Sequence, residues 1–72
     1  MTDVVICEFM DQAAVDGLAA EFDVMYDPGL VDRPDALEAV VAGARALVVR
    51  NRTQVRGALL DAASSLQVIF FS

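Results

Sequence analysis

Residues 46–69 read ALVVRNRTQVRGALLDAASSLQVI, and the fold class follows by working outward from them. An apolar, β-branched run ends in the polar turn RNRT. A helix-period segment comes next, with Val55, Leu59 and Ala62 or Ala63 on its inner side. A second short apolar run, Leu66–Phe71, closes the unit. Thr53 is placed to cap a helix from about Gln54 to Ala63. Strand, helix and strand joined by such short connections predict a right-handed crossover between parallel strands.

The same unit recurs upstream. DVVICEF, Asp3–Phe9, is an apolar run of the kind that forms a doubly buried strand. Asp11 can cap the helix after it, where Val15, Leu18, Ala19 and Phe22 fall on one face. DVMYD, Asp23–Asp27, is a second short strand, ended by Pro28-Gly29. Asp32 then offers a cap, with Pro34 in the first turn, Leu37, Val40, Val41 and Ala44 on one face, and Gly43 near the end. Four strands alternating with three helices predict an α/β chain: an incomplete flavodoxin-like three-layer domain with a parallel sheet of order 2-1-3-4 and flanking helices. The last strand, carrying VIFF, is expected to be an exposed apolar edge, open to association.

Composition narrows the function classes. Seventy-two residues make one small domain, yet 57% are apolar and only 22% charged, which reads as a slice of a larger core. The expectation is a truncation, an oligomer or a chain with a partner. A single cysteine and no histidine exclude an intrachain disulfide and a His–Cys metal site, and remove the commonest general acid/base. Cys7 reads as an inert buried hydrophobe, and Tyr26 and the four phenylalanines as packing. The net charge of −6 and pI near 4.1 argue against nucleic acid. The acidic start MTDVVICEFMD lacks signal-peptide character, and no apolar run reaches membrane-spanning length. A cytoplasmic, membrane-free chain is expected.

Against this acidic background the positive charge is concentrated. There are five arginines and no lysine, and Arg50, Arg52 and Arg56 fall within seven residues. Ligands of open α/β sheets bind beyond the carboxyl ends of the strands, where RNRT lies. Helix N-terminal N–H groups and planar guanidinium forks favour carboxylate, sulfonate or phosphate there. The simpler alternative is pairing of these arginines with nearby acids such as Asp27, Asp61 or Glu8. Glu8, at the same edge, reads as a solvated cap. The four scattered glycines form no phosphate-binding loop.

Val4 to about Ile69 resembles the N-terminal part of the D-isomer-specific 2-hydroxyacid dehydrogenases. The most telling segment is the one quoted first, with its Arg-Ser/Asn-x-Thr turn, leucine-rich helix and Leu-x-Val-Ile strand. EFMDQAAV is similar to the branch related to sulfolactate and phosphoglycerate dehydrogenases. The resemblance implies that residues 1–72 are a truncated N-terminal segment of the substrate domain, with the NAD-binding Rossmann domain absent. It implies an oxidoreductase of the whole enzyme, moving hydride between a small acidic 2-hydroxy or 2-keto acid and NAD or NADP, and usually homodimeric. Arg50, with Asn51, Arg52 and Thr53 around it, is then expected to bind substrate. No catalytic, cofactor-binding or metal-binding residue is assigned here: the family pattern departs after LQVI, and the isolated 72 residues are expected to be inactive and molten or aggregated. The competing reading is a stand-alone small-anion-binding or dimerising α/β module. A response-regulator receiver, of similar topology, does not fit a third strand that ends in Arg50.

Overall fold

The computed structural model describes residues 2–50, 52–53 and 57–71. Its order is β1 (Val4–Ile6), α1 (Gln12–Ala19), β2 (Val24–Tyr26), a 3-10 helix (Pro28–Asp32), α2 (Pro34–Val41), β3 (Ala46–Val49), α3 (Ala58–Ala62) and β4 (Val68–Phe71). The four strands form one parallel sheet of order β2-β1-β3-β4. The expected incomplete flavodoxin-like arrangement is the one found. β1 and β3 lie in the middle and are buried along their whole length, which explains their unbroken apolar sequences.

Alternation along these central strands makes two cores. Val5, Cys7, Leu47 and Val49 face Leu30, Leu37, Val41 and Leu59 from the 3-10 helix, α2 and α3, with Ala44 from the turn before β3. Val4, Ile6, Ala46 and Val48 face the other way, toward Val15 of α1, with Leu18, Val24 and Tyr26 at the margin. Strand residues two apart share a face, so each central strand contributes to both cores.

Local chemistry shifts several element boundaries from those the sequence predicts. Asp11 stands at the start of α1, where its carbonyl accepts from the N–H groups of Ala14 and Val15, but its side chain makes no capping bond. Asp27 accepts from the Gly29 N–H at 2.9 Å, and with Pro28 this turns the chain into the 3-10 helix. That turn absorbs Asp32, so α2 is capped by Arg33 and begins at Pro34. α3 starts at Ala58, later than expected, after Gly57 at φ +61°. The expected residues Gln54, Val55 and Arg56 lie outside the described ones.

The two outer strands differ. β2 is three residues long and bounded by Asp23 and Asp27. β4 exposes Val68, Phe70 and Phe71 and carries no charge, which matches the expected apolar edge. Phe22 on the α1 face was expected inside and is 48% exposed. The reason is an open groove of about 480 Å3 between α1 and the β3–β4 side of the sheet.

Candidate functional site

The carboxyl ends of β1, β2 and β3 meet at one rim, and a single carboxylate organises it. Glu8 lies two residues past the end of β1 and is 4% exposed. Its Oε2 accepts from the backbone N–H of Arg50 at 2.8 Å and of Thr53 at 3.0 Å. Its Oε1 accepts from the Arg52 N–H at 3.0 Å. The sequence reading of Glu8 as a solvated cap is thus replaced by a buried anion filling a nest of amides from the β3 loop. Burial alone raises the Glu8 pKa, but the Thr53 hydroxyl and the three backbone donors outweigh it and lower the group from 4.5 to about 2. Glu8 is therefore ionised at neutral pH and ties the arginine turn to β1.

Cys7 lies beneath this clamp, fully buried. Its Sγ donates weakly to the Val48 carbonyl at 3.6 Å and sits 3.4 Å from the Thr53 Oγ1. Burial pushes the thiol pKa up; the Thr53 contact lowers it, and the neighbouring Glu8 charge raises it again. The protonated, enclosed thiol fits the inert role expected of it. Thr53 thus contributes its N–H and its hydroxyl to the β1–β3 junction.

The arginines separate by partner. The Arg52 guanidinium pairs with the Asp32 carboxylate, and both side chains are exposed. Arg33 pairs with Asp27 at 2.5 Å, which draws the Asp27 pKa down, together with the Gly29 N–H. Arg50 has no acidic partner among the described residues. Its guanidinium lies 5.9 Å from the centroid of the Phe9 ring, a cation–π placement that holds it at the rim. Asn51 and Arg56 lie outside the described residues. Arg50, Arg52 and Thr53 therefore share one loop, with one cation neutralised and one open.

Sequence reasoning named Glu8 as a solvated cap or an arginine's partner and Asp32 as a helix cap, and missed the roles they take at the rim. A lone acid immediately after a fully apolar strand was the available signal for Glu8. Asp32 carried none, because its tie to Arg52 joins residues 20 apart through the 3-10 turn.

The rim does not match the needs of a nicotinamide cofactor. A dinucleotide site needs a glycine-rich turn that offers backbone amides to pyrophosphate at the first strand. Here the turn after the first strand, Cys7 to Asp11, has no glycine and holds the Glu8 carboxylate, which amides of the β3 loop bind. The described residues do not fit a dinucleotide. They also contain no group of three metal-ligating side chains, and no helix among them is long and apolar enough to cross a membrane.

Fold and rim together define an incomplete flavodoxin-like unit with an arginine at the carboxyl edge of its sheet. Over 69 residues, 96% of the chain, it is 46% identical to the (S)-sulfolactate dehydrogenase of Chromohalobacter salexigens. The chain spans 22% of that enzyme's length. The resemblance to the D-2-hydroxyacid dehydrogenases, in their sulfolactate branch, is therefore carried by nearly every part of the chain. No protein-family model matches it, and no solved structure matches significantly.

Proposed function

We propose that this chain is part of the substrate domain of a nicotinamide-dependent 2-hydroxyacid dehydrogenase of sulfolactate type. Residue Arg50 would hold an acidic end of the substrate. The observation that carries this reading is the contrast between the rim cations: Arg52 is balanced by Asp32, whereas Arg50 rests on an aromatic ring with its charge uncompensated by any described carboxylate. A sulfonated 2-hydroxy acid carries two anionic groups, each matched by the planar fork of a guanidinium. Thr53 and the Arg52 main chain serve Glu8, so their part is to position the turn, with Asn51 beside Arg50 in sequence. Nicotinamide, which supplies hydride chemistry when bound, belongs to the rest of such an enzyme, as does its Rossmann domain. The 72 residues alone are expected to turn over no 2-hydroxy acid.

The test is a chimera in which this chain replaces the 69 matched residues of the Chromohalobacter enzyme. We expect NAD(P)-linked oxidation of sulfolactate by the chimera. Arg50→Gln should raise KM at least tenfold while leaving cofactor binding intact. A folded, cofactor-binding chimera indifferent to Arg50→Gln overturns the role of Arg50. One that binds cofactor without oxidising sulfolactate overturns the substrate assignment.

A further inference from the structure

The Tyr26 ring lies at the margin of a core, but its hydroxyl is engaged beyond it. Tyr26 ends β2, in register with Ile6 at the end of β1. Both bonds of the hydroxyl go to one residue. It accepts from the Met10 N–H at 3.2 Å and donates to the Met10 carbonyl at 3.2 Å. Met10 stands in the turn between β1 and α1. A strand residue thus closes a two-bond clasp on the main chain of a loop 16 positions before it.

The clasp and the Glu8 nest bracket Phe9. On one side Glu8 is fixed by three amides of the β3 loop. On the other Met10 is fixed by Tyr26. Phe9 itself is 63% exposed, so its neighbours' bonds, more than its own packing, set where its ring stands. Over that ring lies the Arg50 guanidinium, 5.9 Å from the centroid. An aromatic face attracts a cation through its quadrupole and occupies none of the N–H donors. A carboxylate in the same place would take the donors and cancel the charge. A loose arginine loses rotamer freedom each time it takes an anion, and a platform beneath it removes part of that cost beforehand.

We infer that Tyr26 and Phe9 are positioning residues for the substrate anion. The Tyr26 hydroxyl holds Met10, Met10 and Glu8 hold Phe9, and the Phe9 ring presents Arg50 with its charge and its donors open. The inference rests on the proposed function and extends that site to β2. Neither aromatic side chain is given a contact with substrate; each acts through Arg50.

The same chimera provides the test, read by steady-state kinetics and, without substrate, by phenylglyoxal labelling of arginines with mass spectrometry. Tyr26→Phe deletes the clasp and keeps the ring; Phe9→Leu deletes the platform. Each is expected to raise KM for sulfolactate about threefold or more, with kcat nearly unchanged. Neither should add to the KM of Arg50→Gln when combined with it, because the two changes remove one interaction. Phe9→Trp, which offers a stronger aromatic face, should keep KM within about twofold of the parent. Both loss variants should also speed the labelling of Arg50 by about threefold, while Arg45, at the opposite end of β3, labels as before. A KM rise in Phe9→Leu that persists beside Arg50→Gln makes the ring a direct substrate contact and overturns the inference. Tyr26→Phe matching the parent in both readouts overturns it as well, and so does faster labelling of Arg45 together with Arg50, which marks general loosening. If Arg50→Gln leaves KM unchanged, the substrate role of Arg50 falls, whereas faster labelling of Arg50 alone would still show that Tyr26 and Phe9 hold its guanidinium.

Discussion

The Glu8 carboxylate lies 2.8 Å from the backbone nitrogen of Arg50, so an acid just past the first strand fixes the main chain just past the third. The bond spans 42 positions in sequence. The Arg52 and Thr53 amides complete the contact. An anionic side chain from within the fold thus occupies the amide nest, and the Arg50 guanidinium is turned outward onto Phe9. A diffusible acid at this rim would meet a preset cation rather than an open ring of amides.

Removing the Glu8 anion should loosen the rim. Glu8→Ala strands three amide donors, and Glu8→Gln turns an amide group toward one set of them. Leaving buried donors unpaired costs about 1–3 kcal/mol, so each variant is expected to lose stability of that order. Urea denaturation of the chimera followed by circular dichroism checks it, and an unchanged midpoint would contradict the clamp.

Acid should act on the same bond. Glu8 has a folded-state pKa of about 2 against an ordinary 4.5, so the folded state binds its proton less readily than the unfolded one. Its stabilising contribution is fully present above about pH 5 and is lost as pH falls through the folded pKa. Stability of the wild type should decline between pH 5 and 2, by on the order of 2 kcal/mol more than in Glu8→Gln. Parallel pH profiles of the two proteins would remove Glu8 as the source.

Cys7 should behave as a reporter of opening. Burial pushes its thiol pKa up, and the side chain is fully enclosed. Alkylation by iodoacetamide at pH 8 is expected to be at least a hundredfold slower than for a free cysteine, and to reach the free rate in denaturant. Glu8→Ala should accelerate it. Rapid modification of the native chain would show that the β1–β3 junction is open.

Gly57 should resist substitution for a reason of backbone alone. Its φ of +61° with ψ −128° is a conformation that side-chain-bearing residues rarely adopt, although a Cβ would meet nothing within 4 Å. Gly57→Ala is expected to cost about 1–2 kcal/mol, whereas Gly43→Ala, at negative φ and also in open space, should cost nothing measurable. Denaturation midpoints of the two variants decide it.

The sequence by itself determined the alternation of strands and helices, because β-branched apolar runs and helix-period faces are local patterns of side chains. The handedness of crossovers then allows few topologies, of which the flavodoxin-like order β2-β1-β3-β4 is the one found. The inward positions Leu37, Val41 and Ala44 were equally legible, since burial follows from periodicity. The tertiary structure alone decided the partners at the rim. Glu8 and Arg50, or Asp32 and Arg52, are distant in the chain and meet only once parallel strands bring their carboxyl ends together. It also decided that Phe22, with an inward pattern, faces an open groove. A helical face is buried only where a second surface covers it, and Phe22 borders the groove between α1 and the β3–β4 side of the sheet.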